Sequence, residues 1–170
     1  MNYKHKKSLG QNFLVDHNVL EKIVSTINMV DKEVLEIGPG SGNLTTYILK
    51  KKPKKVYVVE KDDDLALLLK NQFNNEIQII NDDILNIYED KISDEPLIVF
   101  GNLPYNISTQ ILSKWILNMS KNVWFESLVL MFQKEVADRI IAKSNTSEYG
   151  RLSILSNWRL NIKKIIDIKP

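Results

Sequence analysis

Short apolar runs alternate with amphipathic stretches along most of this chain. The runs at 34–37, 56–59, 77–80, 97–100 and 128–132 have the length and content of buried strands. Between and after them, 44–51, 64–73, 107–119, 134–143 and 152–159 read as helices. A leading helix is predicted over 16–27, with Leu20, Ile23, Val24 and Ile27 on one face. Residues 163–168 read as extended. Alternation of this kind builds βαβ crossovers, so the expected fold class is α/β: a mostly parallel sheet with helices on both faces. The 170 residues are one domain's worth of chain, long enough to bury a real core, without repeats or a long linker.

Composition narrows the chemistry by exclusion. There is no cysteine, which removes disulfides, thiolate catalysis and Cys-based zinc sites. Two histidines, His5 and His17, are too few for a metal cluster. No apolar run exceeds five residues, so no membrane-spanning helix is expected. The start of the chain lacks the apolar core of a secretory signal, and a cytoplasmic protein is expected. A net charge of +2 permits a nucleic-acid partner without demanding one. Lys50, Lys51, Lys52, Lys54 and Lys55 surround Pro53, and read as a solvated helix end rather than a phosphate patch. Asp82, Asp83, Glu89, Asp90, Asp94 and Glu95 fill the stretch between two strands.

Asn102-Leu103-Pro104-Tyr105 falls just past the strand at 97–100, where open α/β sheets bind ligands. On its own it reads as a strand-ending turn: Asn bonds its own backbone, Pro fixes φ and Tyr caps the core. The chemical reading is methyl transfer to an aromatic amine. An adenine amine is a poor nucleophile because its lone pair is delocalised into the ring. Two acceptors, the Asn102 amide oxygen and the Leu103 carbonyl, would hold the nitrogen closer to tetrahedral. Tyr105 offers a flat face on which the base can stack.

The ends of the other strands decide between these readings. Gly38, Gly40 and Gly42 follow the first strand with neither P-loop nor dinucleotide spacing, and suit a small amino-acid-like group better than a pyrophosphate. Glu60 ends the second strand eighteen residues after Gly42, placed to accept from both ribose hydroxyls; the plain alternative is a surface carboxylate beside Lys61. Asp83 follows the third strand and can accept from an adenine amine, with Ile84 on the ring; the plain alternative is a helix N-cap. Together these residues outline a crevice for an adenosine joined to an amino acid, which is S-adenosylmethionine.

The chain resembles the ribosomal RNA adenine dimethyltransferases, and most closely the bacterial type acting on small-subunit rRNA. The resemblance rests on Lys7-Ser8-Leu9-Gly10-Gln11-Asn12-Phe13-Leu14, Glu36 to Gly42, Glu60, Asp83, Gly101 to Ser108, and Tyr149-Gly150-Arg151-Leu152-Ser153. It implies a Rossmann-like class I methyltransferase fold and transfer from S-adenosylmethionine to adenine in 16S rRNA, giving N6,N6-dimethyladenosine, with a role in ribosome biogenesis. It also implies Asn12 and Leu14 against the cofactor with Gln11 nearby, and Gly38 and Gly40 by the methionine part. Glu60 would lie on the ribose with Lys61 beside it, Asp83 and Ile84 at the adenine, and Asn102 between cofactor and target amine. The expected partner is ribosomal RNA within a small-subunit precursor, met by a monomer. Leu9 stands where the family often has Phe. Family members continue beyond this length with a small helical domain, so the expectation for 1–170 is a truncated chain carrying the catalytic domain, with 1–30 a helical segment covering the cofactor. Rival readings are a large-subunit rRNA methylase of the antibiotic-resistance type, a non-catalytic assembly factor on the same fold, and a DNA adenine methyltransferase, for whose target-recognition domain the chain has no room.

Overall fold

The computed structural model describes residues 14–119 and 123–168. Five strands form one sheet: β1 Glu33–Ile37, β2 Lys55–Val59, β3 Gln78–Ile80, β4 Leu97–Asn102 and β5 Phe125–Met131. Their spatial order is β3-β2-β1-β4-β5 and every pairing is parallel. The six helices among the described residues are α1 His17–Val24, α2 Asn43–Lys50, α3 Asp63–Phe73, α4 Ser108–Asn118, α5 Lys134–Ile141 and α6 Arg151–Arg159. The strand order reverses between β1 and β4, and Ile37 lies opposite Gly101 at that point. In open α/β sheets the crevice beyond this reversal is the binding place.

Period-two alternation sorts the strands onto two cores. Val34, Val56, Val58, Ile98 and Phe100 meet α1, α2 and α3 through Leu20, Ile23, Leu44, Ile48, Leu69 and Phe73. Leu35, Ile37, Tyr57, Val59, Leu97 and Val99 meet α4 through Ile111 and Trp115. Leu112 and Ile116 of α4 carry that side on to Ile140 of α5 and Leu152 of α6. The predicted layout of helices on both faces is the observed one. Because a parallel sheet is covered twice, its strands read as continuous apolar runs rather than alternating ones.

Several boundaries differ from the expectation, each for a local reason. The leading helix stops at Val24, where the Ser25 amide donates to Glu21 O and the Thr26 amide to Ile23 O. Strand β5 starts three residues earlier than its apolar run, since Phe125 pairs with Leu97 and Ser127 with Ile98 despite the polar Glu126 and Ser127. Strand β4 runs through Asn102, so the tetrapeptide begins on the strand's last residue and not beyond it. Residues 163–168 form no strand and join no sheet.

The lysine run around Pro53 lies at the opposite end of the sheet from the crevice. Lys51 donates to Glu21 at 2.5 Å and Lys54 to Glu95 at 2.5 Å. Lys50 and Lys55 sit over the rings of Tyr47 and Tyr57 at 4.3 and 4.7 Å. The acidic stretch is likewise used in ties. Lys114 of α4 donates to Ile84 O at 3.1 Å, Ile87 O at 2.6 Å and Glu89 Oε1 at 2.7 Å. The buried Trp115 indole donates to the same Glu89 oxygen at 2.6 Å. These bonds fasten the segment after β3 to α4, and that segment carries Asp83.

The turn into α2 depends on Gly42. Its φ is +80°, and a Cβ there would lie 2.5 Å from Phe73 Cε2. Gly42→Ala should therefore destabilise the fold by about 2–3 kcal/mol, through both backbone strain and overpacking. A urea midpoint unchanged from wild type would refute this account of the turn.

Candidate active site

A cavity of about 210 Å³ opens beyond the C-terminal ends of β1, β2, β3 and β4. From β1 it receives Glu36, Ile37 and the loop Gly38-Pro39-Gly40-Ser41. Gly38, Gly40 and Gly42 all have positive φ, at 65°, 59° and 80°. The loop leaves the sheet in register, with the Gly38 amide donating to Val59 O at 2.9 Å.

Glu60 stands at the end of β2 and is buried. Its Oε2 accepts from the Gly40 amide at 3.2 Å and its Oε1 from the Asp62 amide at 3.0 Å. Burial pushes its carboxyl above the usual range, while these backbone donors pull the other way. Asn81 donates from Nδ2 to Glu60 O at 3.0 Å, joining the end of β3 to that of β2. Asp62 then caps α3, accepting from the Asp64 and Leu65 amides.

Asp83 stands at the cavity, and the segment directly after it is a turn rather than a helix. Its Oδ1 caps that turn by accepting from the Leu85 amide at 2.9 Å. Its Oδ2 accepts from Lys61 Nζ at 2.8 Å. The Lys61 ammonium and the Leu85 amide hold its carboxyl below the usual range. Lys61 and Ile84 also line the cavity.

Asn102 and Pro104 face the cavity, with Asn106 and Ile107 beyond them. Leu103 instead turns its side chain into the core and is 1 % exposed. Tyr105 is half-exposed and neither it nor Leu103 lines the cavity. The Ile107 and Ser108 amides both donate to Pro104 O, so the tetrapeptide is tied into the first turn of α4. On the near side Leu14 lines the cavity and Asn43 Nδ2 donates to its carbonyl at 2.9 Å. Gln11 and Asn12 lie outside the described residues.

Glu36, which the sequence reading took only as the first letter of the glycine motif, belongs to the wall as well. The signal was available: it is the one acid inside an otherwise apolar central strand run. Among the described residues the cavity thus presents four acids, Glu36, Glu60, Asp82 and Asp83, against one base, Lys61, whose ammonium is held by Asp83. Such a wall suits a cationic nucleoside and repels a pyrophosphate. Among the described residues no group of acids and histidines is arranged to hold a metal ion, and no helix is long and apolar enough to cross a membrane.

The sequence matches the profile of the ribosomal RNA adenine dimethylase family over residues 2–170. The chain belongs to that family. Curated relatives called ribosomal RNA small subunit methyltransferase A include one from Pelagibacter ubique, 76% identical over 98% of this chain and 64% of the relative. Another, from Wolbachia of Drosophila simulans, is 44% identical over 98% of the chain and 62% of the relative. The chain therefore spans less than two thirds of the length of these adenine dimethylase relatives. Among solved structures, a dimethyladenosine transferase from Plasmodium falciparum superposes with a TM-score of 0.72 at 31% identity, covering 85% of this chain and 51% of that one. The 23S rRNA methyltransferase ErmE superposes at 0.67 and 30% identity, covering 85% and 55%. The fold is the Rossmann-like one of class I S-adenosylmethionine-dependent methyltransferases.

Lys61 is well exposed, so its ion pair with Asp83 is worth little to stability. Lys61→Ala should change unfolding free energy by less than about 1 kcal/mol. The Asp83 carboxyl should nonetheless titrate at higher pH in the variant, as carbon-detected NMR of the side-chain carboxyl would show. An unmoved Asp83 titration would mean that the pair does not form in solution.

Proposed function

We propose that this chain transfers methyl groups from S-adenosylmethionine to the exocyclic amine of adenine in small-subunit (16S) ribosomal RNA. The product is N6,N6-dimethyladenosine, made on a small-subunit precursor in the cytoplasm by a monomer, and the role is in ribosome biogenesis. The observation that carries the reading is the convergence of the glycine loop, Glu60, Asp83 and Asn102 on one acid-lined cavity at the strand-order reversal. The names of the small-subunit relatives support the choice of RNA.

When bound, S-adenosylmethionine supplies an electrophilic methyl group on a positively charged sulfur. Gly38 and Gly40 would take its methionine part, Glu60 the ribose hydroxyls, and Asp83 the adenine amine, with Ile84 and the Lys61 stem against the ring. Leu14 would border it, along with Gln11 and Asn12. The acidic wall fits a cation and the glycine loop lacks a phosphate-binding lysine, so the residues present fit this group.

The target adenine leaves its stack to reach such a pocket. Asn102 accepts one N–H of its amine and the Leu103 carbonyl the other, with Pro104 fixing the turn and Tyr105 under the base. The alkylated amine is acidic and sheds its proton to an acceptor or to water, so no strong base is needed. Positioning is then the main contribution of the protein.

Asn102→Ala should lower methyl transfer by at least about a hundredfold and leave cofactor affinity within a few-fold of wild type. Near-normal methylation by this variant would remove Asn102 from the role. Glu60→Ala should instead weaken binding of S-adenosylmethionine by roughly 1.5–3 kcal/mol in calorimetry, the range for a hydrogen bond to a charged group. Labelled cofactor incubated with unmodified ribosomal subunits tests the target. Label on small-subunit adenines supports the proposal, label on large-subunit RNA points to the resistance-type activity, and binding without transfer points to an assembly factor.

A further inference from the structure

Glu36 takes no part in the scheme above, yet it is the most deeply buried acid of the cavity wall, 1 % exposed. Thr45 of α2 donates to its Oε2 at 2.6 Å. Among the described residues no other hydrogen-bond donor reaches its carboxyl. Its register partners Val58 and Phe100 on the flanking strands are apolar. The ionisable group acting on it is Glu60, another acid, at the end of β2. Asp82 and Asp83 add negative charge to the same wall, and the Lys61 ammonium is occupied by Asp83. Among the described residues an ionised Glu36 therefore has no countercharge while the cavity holds no ligand. Burial, with a smaller contribution from Glu60 and against the Thr45 hydrogen bond, pushes its carboxyl up to about 8.

We infer that Glu36 is the counter-ion of the ligand's cationic part, neutral before binding and ionised after it, so that one proton leaves the protein as the ligand enters. The inference rests on the reading of the ligand as S-adenosylmethionine. In the step the carboxyl O–H bond breaks, the proton goes to solvent or buffer, and the carboxylate that remains faces the ligand's positive charge. Nothing is oxidised or reduced. Glu60 differs from it in being tied to the backbone amides of Gly40 and Asp62, with its remaining lone pairs given to the ribose hydroxyls in the proposed function.

The test is calorimetric titration of the chain with S-adenosylmethionine in buffers of different ionisation enthalpy. At pH 7 wild type should release roughly 0.9 proton per site, falling to roughly a quarter by pH 8.5, and its affinity should rise about ninefold from pH 6 to 7. Glu36→Gln keeps an acceptor for Thr45 but should release no proton and bind about tenfold or more weakly at pH 8, with an affinity flat between pH 6 and 8. Binding by wild type without proton release, or full release by the Gln variant, would overturn the inference alone. No binding by wild type would overturn the cofactor reading and this inference with it. Should the variant fail to fold, the wild-type chain still decides: a protonated-carboxyl band must disappear from its infrared spectrum on ligand addition, and an unchanged spectrum overturns the proposal.

Discussion

One buried carboxylate, that of Glu60, holds the shape of the cavity. With one oxygen on the Gly40 amide and the other on the Asp62 amide, it clamps the glycine loop to the start of α3. A carboxylate offers about four lone-pair sites, and two are taken by backbone. The two that remain can meet paired hydroxyls without loosening either loop. The group that shapes the wall is thus also able to read the ligand, which explains why the acid stands at the strand end and not on the loop. The clamp needs its neighbours in place: Gly38 is set by Val59 O, and β3 is joined to β2 through Asn81.

Charge is segregated along the sheet. Lysines at the amino end of β2 are engaged by Glu21, Glu95 and two tyrosine rings. Acids collect at the carboxyl ends, where Lys61 is the one base of the cavity wall among the described residues. The acidic stretch after β3 stays ordered against α4 because Lys114 and Trp115 converge on the buried Glu89. A site for a nucleoside cation results, without the basic character that a nucleic-acid partner requires. In the proposed function, contact with RNA comes from surfaces outside this cavity, and the adenine amine reaches it as a neutral group.

The sequence disclosed the elements wherever burial is two-sided. The apolar runs of β1, β2 and β4 have no polar interruption save Glu36 and glycine, and the helices between them follow from what remains. It disclosed less where one side is wet. Strand β5 lies at the sheet edge and carries Glu126 and Ser127, so its start was hidden. Of the candidate site, Glu60, Asp83 and Asn102 were legible because strand ends in a parallel sheet share one edge. Glu36 was passed over because a periodicity argument treats a strand acid as an exception, when a buried polar group with a single donor is itself the signal. The two readings of Asp83 do not exclude one another, since one carboxylate has lone pairs enough to accept within a turn and still face a cavity.

Leu103 shows why the tetrapeptide can act by position alone. Its side chain is buried among Val99, Ile111 and Trp115, while Asn102 before it and Pro104 after it face the cavity. The space it occupies explains Gly101, where a Cβ would lie 2.8 Å from Leu103 Cδ2. Pro104 O then receives the Ile107 and Ser108 amides, so the turn is held by the core on one side and by a helix start on the other. A site that catalyses by orienting an amine must keep its acceptors within roughly 0.5 Å of the productive place. An exposed loop does not meet that demand. A strand's last residue, followed by a buried leucine and a proline, does, and this supports the proposed acceptor on β4 itself.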